Sequence, residues 1–340
     1  MYKVTIAIAL FNAEKYIKKT LTSALNQTFN NIEYLIINDC SNDNSISIID
    51  KIKHTHPRGK HIHIVNHNKN MGIGVARNTA INEAKGDYLF YLDSDDLITP
   101  NCIEILYNSA FKNDADIVIS SYEKTNEIGI RESKVSFPTK VINESEGILK
   151  YRYQSTKQIM EFYVWNILFQ TSFLKINNLL FSPVRIGEDV IFTLNMNSLV
   201  HKCVLLSDIT YNYIKRPNSL SQFNKRTQIR LDEVIGQLYY RECKKTKCIE
   251  NKSKSFAANE VTHVMKDCLH AAFSIIKNEN LITPSLPTKN IKKLLSHPLT
   301  FSEIINLEQH KGINIAFYLI GKIPYCVSKI LILSSLKFFK

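Results

Sequence analysis

The chain has 340 residues, of which 44% are hydrophobic and 22% charged, as is typical of a globular protein with a sizeable core. Its net charge of +12 is uneven, since residues 226–340 hold 18 basic and 9 acidic side chains. No recognition motif accompanies this charge, so a nucleic-acid partner is excluded. No apolar run reaches the 18 residues that a transmembrane helix needs.

The cysteines and the N-terminus bear on the compartment. The seven cysteines are odd in number and scattered, so we expect reduced thiols in a cytoplasmic protein. The sequence enters a strand pattern directly, and we expect no signal peptide.

The first hundred residues alternate apolar, β-branched runs with helical patterns. Helices are predicted after each of the first three strands, and the strands are predicted at 4–10, 32–38, 62–66 and 88–92. This alternation predicts an α/β fold with a mainly parallel sheet flanked by helices. In such sheets ligands bind beyond the carboxyl ends of the strands, where the polar turns of this chain lie.

The later residues are less regular. After Pro100 we predict a helix to about residue 112 and a strand at 116–121, followed by a polar excursion over 122–145. Residues 163–200 have a mostly helical pattern, and strands are predicted at 202–206 and 209–214.

Beyond residue 222 the chain is helical and basic. The predicted domains are therefore a catalytic domain, 1–222, and a basic helical region, 223–340.

Three carboxylates follow the fourth strand within four residues, Asp93, Asp95 and Asp96. Carboxylates so close repel one another, and a divalent cation offsets that cost. Mg²⁺ and Mn²⁺ prefer oxygen ligands and often share them with a substrate phosphate. Capping of the next helix is the alternative, and this stretch alone leaves both interpretations open.

Two residues just past the first two strands are candidates for binding a nucleobase. The Asp39 carboxylate can accept a hydrogen bond from a base N–H, and the Phe11 ring can stack on the base. An Asx turn and a core aromatic are the simpler alternatives.

The third turn contains Gly72 and Gly74, but Arg77 stands where a dinucleotide fingerprint needs a third glycine. An NAD site is therefore disfavoured. An arginine at a helix N-terminus can meet a nucleotide, and a surface arginine is the alternative. Five histidines between residues 54 and 67 are interpreted as a polar surface rather than a metal site.

Glu188 and Asp189 follow Gly187 at a predicted helix start. Acidic residues in a first turn interact favourably with the helix dipole. The functional alternative is a general base at the mouth of the cleft.

Together these stretches resemble the family 2 glycosyltransferases, inverting GT-A enzymes that use nucleotide-diphospho-sugars. The matching segments occur in family order at 8–12, 38–43, 70–78, 86–96 and 188–189. Three residues depart from the family pattern: Ala9 replaces proline, Asn38 replaces aspartate and Cys40 replaces glycine. The turn after the second strand must therefore tolerate a side chain.

The resemblance implies roles for the nucleotide-binding residues. Phe11 would stack on uracil, Asp39 would hold its N3–H, and Arg77 would contact the nucleotide. Asp93 and Asp95 would form the D-x-D pair, directed towards the ribose and towards a Mn²⁺ or Mg²⁺ on the diphosphate.

The resemblance also implies that Asp189 is the base that deprotonates the acceptor hydroxyl. Two further segments, 163–169 and 213–221, are similar to bacterial capsule and lipopolysaccharide members of the family. On that basis Arg216 or Ser219 would meet the diphosphate or the acceptor. Trp165 would stack on a sugar or lie in the core.

The C-terminus is predicted to form one helix over 323–340. Its lysines, together with Lys322, fall on one stripe beside an apolar face: Lys322, Lys329, Lys337 and Lys340. This pattern suits a helix lying on an anionic membrane. Packing on its own domain or on a second subunit is the alternative.

The predicted activity is a metal-dependent hexosyl- or N-acetylhexosaminyl-transfer from a UDP-sugar to a saccharide or lipid-linked saccharide. We expect it to serve bacterial capsule or lipopolysaccharide synthesis at the inner face of the cytoplasmic membrane. A sugar nucleotidyltransferase is disfavoured, because residues 10–13 form no glycine- and lysine-rich phosphate loop. An inactive membrane-associated scaffold is disfavoured by the presence of Asp95 and Asp189.

Overall fold

The computed structural model describes residues 2–143, 147–154, 163–216 and 228–335. These residues form two compact units. The first contains residues 2–143, 147–148, 163–183 and 188–216. The second contains residues 149–154, 184–187 and 228–335.

The first unit is built on one mixed sheet. Its strands are β1 (Tyr2–Leu10), β2 (Ile32–Asn38), β3 (Ile62–Asn66), β4 (Gly86–Tyr91), β5 (Leu97–Ile98), β6 (Ile117–Asn126), β7 (Arg131–Val135), β8 (Lys140–Ile142), β9 (Ile167–Gln170) and β10 (Cys203–Lys215). They lie in the order β3-β2-β1-β4-β9-β6-β10-β5, with β7 paired to β6 and β8 paired to β10.

Helices connect these strands. Those that begin before residue 200 are α1 (Ile17–Leu25), α2 (Ser45–Thr55), α3 (Ile73–Glu83), α4 (Cys102–Asn113), α5 (Gly147–Gln154), α6 (Thr171–Ile176) and α7 (Glu188–Asn197). The strands β1, β2 and β4 are buried apolar runs because helices cover both faces of the sheet. The predicted α/β fold class is confirmed.

The parallel part of the sheet determines where the site lies. β1 pairs in parallel with both β2 and β4, and β2 pairs in parallel with β3. In register, Leu10 lies beside Asn38, which lies beside Asn66. The residues that follow β1, β2, β3 and β4 therefore emerge at the same edge of the sheet.

Two sequence predictions in the later part of this unit were wrong. The stretch 122–145 is not simply a polar excursion, since β6 continues to Asn126 and β7 and β8 add to the sheet. The mostly helical pattern after residue 163 contains β9, which pairs with β4 and β6. The side chains of β7 are largely exposed, so this strand has no hydrophobic alternation to detect.

The two strands predicted at 202–206 and 209–214 are one strand, β10. Its pairing with β6 shifts register between Leu206 and Ile209 and again before Tyr211. Such irregularities are typical of β-bulges, which bend a strand without ending it.

The second unit is mainly helical. Its helices are α8 (Leu231–Glu250), α9 (Ala257–Lys277), α10 (Thr288–Leu295), α11 (Phe301–Ile305), α12 (Lys311–Lys322) and α13 (Tyr325–Ser335). The short strands β11 (Ile229–Arg230) and β12 (Ile282–Thr283) pair in parallel. Helix α9 supplies much of the core, burying residues at helical spacing: Val261, Val264, Met265, Cys268, Ala272, Ile275 and Ile276.

The C-terminal helix predicted over 323–340 corresponds to α13, but Lys322, which was counted on its lysine stripe, lies outside it. Lys322 ends α12, and α13 begins at Tyr325, after Ile323 and Pro324. Proline has no N–H to continue the helical ladder, so it separates the two helices. Lys322 and Lys329 therefore lie on different helices, and Lys337 and Lys340 lie outside the described residues. Among the described helices, none is long and apolar enough to cross a bilayer.

Candidate active site

The acidic loop after β4 contains three carboxylates in different environments. Asp95 has 41% of its side chain exposed, and Asp93 is partly exposed, whereas Asp96 is buried. Asp96 accepts hydrogen bonds from the Tyr211 hydroxyl at 2.9 Å and from the Ile214 N–H at 2.8 Å. Asp96 therefore ties the loop to β10, and the two outer carboxylates remain accessible.

Helix capping does not explain these carboxylates. The N-cap position of α4 is Asn101, whose side chain accepts no capping hydrogen bond. The Thr99 hydroxyl does not cap this helix either, since it donates to the side chain of Asn101.

Arg77 on α3 is a buried arginine, not the surface residue of the alternative interpretation. Its Nη2 lies 3.0 Å from Asp93 Oδ1, and its Nη1 lies 2.9 Å from Glu188 Oε1. These anions outweigh burial and raise the pKa of Arg77 above its usual value. The guanidinium joins the acidic loop to the start of α7, 111 residues from Arg77.

Asp189 lies in the first turn of α7, after Gly187 with φ 89°. Its Oδ1 accepts a hydrogen bond from the N–H of Val190 at 2.8 Å. Burial, together with the adjacent charge of Glu188, raises the pKa of Asp189 to about 7, although Arg77 acts in the opposite direction. A carboxylate with such a pKa can accept a proton near neutral pH.

Phe11 and Asp39 emerge at the same edge of the sheet, after β1 and β2. The Phe11 ring is 46% exposed, whereas Asp39 is buried. The Asp39 carboxylate accepts hydrogen bonds from the N–H groups of Met71 and Gly72, both at 2.8 Å. Asp39 thus holds the glycine turn that precedes α3.

The turn after β2 accommodates the departures from the family pattern. Cys40 replaces glycine and has φ 62°, in the left-handed region that glycine adopts most easily. The Asn38 side chain stabilises this turn, because its Oδ1 accepts a hydrogen bond from the Ser41 N–H at 3.0 Å.

His67 belongs to this site, although the sequence predicts a surface histidine. Its Nδ1 lies 2.7 Å from Asp39 Oδ1, and its Nε2 lies 2.9 Å from Thr79 Oγ1. The position of His67 just after β3 was the available signal, since the strand ends collect polar groups at one edge.

Arg216 follows β10 and pairs with the acidic loop. Its Nη1 lies 2.7 Å from Asp95 Oδ2, and its guanidinium lies over the Tyr16 ring, 4.1 Å from the centroid. These side chains line a cleft of about 220 Å³, together with Lys15 and Lys19. Ser219, the other residue predicted with Arg216, lies outside the described residues.

Trp165 is a core side chain. It is 4% exposed and stacks on Tyr211 at 4.4 Å and on Tyr163 at 4.8 Å between ring centroids. Of the two interpretations of this residue, the core position is the one observed. Tyr211 is also the hydrogen-bond partner of Asp96, so this stack helps to position the acidic loop.

The acidic loop offers two carboxylates, Asp93 and Asp95, to a divalent cation. Within the described residues, no group of three or more His, Cys, Asp or Glu side chains is arranged to hold a metal. Mg²⁺ is commonly bound by one or two carboxylates together with substrate phosphates. Asp95, with Asp93 two residues before it, fits that requirement.

The electrostatic environment of Asp95 shifts its pKa. Burial is the main cause that raises its pKa to about 6, and Asp93 adds to the effect, whereas Arg216 lowers it. A carboxyl held above its ordinary pKa gains from a nearby positive charge.

Comparison with known proteins identifies the family. Residues 5–175 match the Glycosyl transferase family 2 model. The chain is 32% identical over 256 residues to the poly(ribitol-phosphate) beta-N-acetylglucosaminyltransferase TarP of Staphylococcus aureus, covering 70% of this chain and 72% of TarP. It is 29% identical over 230 residues to the glycosyltransferase GlyA of Streptococcus pneumoniae, covering 65% of this chain and 32% of GlyA.

Solved structures show the same fold. S. aureus TarS 1–349 in complex with UDP-GlcNAc aligns with a TM-score of 0.68 at 18% identity, covering 99% of this chain and 92% of TarS 1–349. The mannosyltransferase PcManGT from Pyrobaculum calidifontis, in complex with GDP-Man and Mn²⁺, aligns at 0.55 with 13% identity, covering 100% of this chain and 89% of PcManGT. The predicted GT-A fold is confirmed, and the chain belongs to glycosyl transferase family 2.

Proposed function

We propose that this glycosyltransferase transfers a hexosyl or N-acetylhexosaminyl group from a UDP-sugar to a saccharide or lipid-linked saccharide, with inversion. The observation that carries the proposal is the link through Arg77 between Asp93 and the start of α7, where Asp189 lies. It joins a donor-side carboxylate to the segment that carries a carboxylate with a pKa near 7. Both are needed for a single displacement at the anomeric carbon.

The donor nucleotide would bind at the edge of the sheet formed by the ends of β1 and β2. Phe11 is exposed enough to stack on uracil, and Asp39 is held in place by the glycine turn. UDP-GlcNAc in the TarS complex supports a UDP-sugar donor.

The diphosphate would bind in the cleft beside Asp95. Arg216, Lys15 and Lys19 provide positive charge there, and Asp93 and Asp95 would hold a Mn²⁺ or Mg²⁺. Such a cation, when bound, stabilises the charge on the departing diphosphate. Arg216 would then exchange its contact with Asp95 for one with a phosphate oxygen, since its planar fork suits both anions.

Asp189 would remove the proton from the acceptor hydroxyl as that oxygen attacks the anomeric carbon. The bond to the diphosphate breaks on the opposite face, which inverts the configuration. Its raised pKa makes Asp189 a stronger base than an ordinary aspartate while leaving it ionised above pH 7. Arg77 would act through its contacts with Asp93 and Glu188.

The acceptor belongs to bacterial surface polysaccharide synthesis in this proposal, of the capsule or lipopolysaccharide type. TarP, by its name, acts on poly(ribitol phosphate), which supports a polymeric or lipid-linked acceptor. We assign donor binding to residues 1–100, acceptor binding to 101–222, and an accessory role to 223–340. Family membership argues against a nucleotidyltransferase, and the presence of Asp95 and Asp189 argues against an inactive scaffold.

A donor panel tests the assignment. In the presence of Mn²⁺ we expect slow hydrolysis of UDP-glucose, UDP-galactose or their N-acetyl counterparts, with GDP-mannose inert. Released UDP or GDP, measured by a coupled assay with and without EDTA, reports the result. Turnover of GDP-mannose while every UDP-sugar stays inert would overturn the assignment of Asp39 to uracil.

The proposal also places the protein at the inner face of the cytoplasmic membrane. Helix α13 exposes a continuous apolar arc with fractions from 44% to 67%: Val327, Ile330, Leu331 and Leu333. Residues 311–340 contain five lysines and no acidic residue. Lys329 on this helix pairs with Glu279 at 2.6 Å. The exposed apolar face and the excess of lysines in this segment fit an anionic lipid surface.

Vesicle flotation tests the membrane surface. The wild-type protein should float with vesicles containing phosphatidylglycerol and not with neutral vesicles. The double variant Ile330→Asp, Leu333→Asp should not float, because two negative charges would stand on the apolar face. The control pair Ile128→Asp and Ile176→Asp, at two positions at least 80% exposed in the first unit, should float normally. Equal flotation of both double variants would contradict the proposal, as would self-association through α13 without vesicle binding.

A further inference from the structure

The Asp39 carboxylate has an unusual number of fixed partners for a residue proposed to read a nucleobase. Its Oδ1 accepts from His67 Nδ1 at 2.7 Å and from the Met71 N–H at 2.8 Å. Its Oδ2 accepts from the Gly72 N–H at 2.8 Å. Both Asp39 and His67 have less than a tenth of their side chains exposed.

These contacts limit what Asp39 can still accept. An ionised carboxylate offers about four lone-pair sites, two on each oxygen. The three hydrogen bonds from described residues occupy both sites on Oδ1 and one on Oδ2. One acceptor site on Oδ2 therefore remains, on a side chain that is 4% exposed.

Nucleobases differ in the number of donors that they present to such a group. The pairing edge of uracil presents one N–H, at N3, between two carbonyl oxygens. The corresponding edge of guanine presents two adjacent donors, N1–H and the N2 amino group, which match a carboxylate with both oxygens free. An Asp39 with one open site suits uracil and leaves one guanine donor unpaired, which is costly in a buried site.

His67 is the side chain that imposes this limit. The N–H groups of Met71 and Gly72 belong to the backbone turn, whereas the bond to Oδ1 from His67 depends on one side chain. Two contacts orient His67 itself. Its ring Nε2 lies 2.9 Å from Thr79 Oγ1, and its backbone N–H donates to the carbonyl of Asn38 at 2.9 Å. The imidazole can therefore fix the rotation of the carboxylate.

We propose that His67 determines nucleobase specificity, by occupying Oδ1 of Asp39 so that the carboxylate presents one acceptor site to uracil. This inference rests on the proposed function, in which Asp39 contacts the base. His67 is a positioning residue, because it acts through Asp39 and does not touch the donor.

Binding of UDP and GDP to variants tests the inference. His67→Phe fills the same volume without a donor, whereas the amide of His67→Asn can replace Nδ1. Calorimetric titration with Mn²⁺ should show that His67→Phe lowers the preference for UDP over GDP roughly tenfold, the worth of one well-placed hydrogen bond. GDP affinity should rise, because Oδ1 is then open to the second guanine donor, whereas UDP affinity should change little, since its acceptor site on Oδ2 and the diphosphate contacts are intact. The amide of His67→Asn should restore most of the preference.

The controls separate specificity from folding. His54→Phe, at an exposed histidine on α2, should leave the UDP-to-GDP ratio unchanged. The melting temperature identifies any variant that is merely unfolded. If His67→Phe is unfolded, His67→Leu, which also lacks a donor, decides, and its ratio should fall by the same factor. A wild-type preference for UDP that persists in His67→Phe would overturn the inference while leaving the proposed function intact. A wild type that does not prefer UDP would overturn both.

Discussion

Replacing Asp189→Asn is expected to lower the transfer rate by about 10²- to 10⁴-fold, the usual contribution of a general base. Asparagine keeps the size of the side chain but cannot accept the proton of the acceptor hydroxyl. Donor binding should be preserved, because Asp189 does not belong to the nucleotide contacts of the proposal. Initial rates at saturating donor and acceptor, with UDP affinity measured in parallel, check this result.

The pH dependence of Asp189 gives the same prediction a second readout. Because its pKa in the folded protein is about 7, the wild-type rate should fall as the pH drops below 7. The folded state binds this proton more tightly than the unfolded chain, so Asp189 destabilises the protein increasingly as the pH rises from about 4 to 7. The Asp189→Asn variant should therefore melt at a higher temperature than wild type at pH 8, and the difference should vanish near pH 4.

The matched control for Asp189→Asn is Asp208→Asn, because the Asp208 carboxylate is exposed on β10. It should change neither the rate nor the pH profile. An Asp189→Asn enzyme with wild-type turnover would remove Asp189 from the mechanism and leave Glu188 to be tested.

Replacing Asp95→Asn should lower turnover by at least about a hundredfold and weaken the response to Mn²⁺ or Mg²⁺. The neutral amide is a poorer cation ligand than a carboxylate, and it also loses the ion pair with Arg216 at 2.7 Å. Rates measured over a metal titration distinguish the two effects, because a weakened metal site is partly restored at high metal concentration.

Asp87→Asn provides the control for Asp95, since Asp87 lies on β4 and pairs with Lys3 at the surface. A surface pair contributes little, so this variant should behave as wild type. If Asp95→Asn retained both full turnover and an unchanged metal response, the D-x-D assignment would fail.

Some strands could be predicted from the sequence because their apolar, β-branched residues occupy positions in the sheet where such residues are expected. The strands at 32–38 and 62–66 were predicted with the bounds that the structure gives to β2 and β3. β7 and β9 were missed, since β7 is exposed and β9 has only four residues. The start of the C-terminal helix was predicted at residue 323, two residues before α13 begins.

Arg77 and His67 show the limit of pattern reading at the site. The sequence predicted that Arg77 contacts a nucleotide, with a surface arginine as the alternative. In the structure Arg77 is buried between the carboxylates of Asp93 and Glu188. His67 was grouped with four other histidines as a polar surface. Its position just after β3 was a weak signal, because its partners, Asp39 and Thr79, come from the turn after β2 and from α3.

The sequence by itself determined the family, the α/β fold and the candidate carboxylates, because apolar strand patterns and short acidic motifs are local properties. The tertiary structure alone decided how those carboxylates differ. Asp96 is buried and bonded to β10, Asp95 pairs with Arg216, and Asp189 has a pKa near 7. Burial and the distance to charges from remote segments set these differences, and neither quantity is contained in the local sequence.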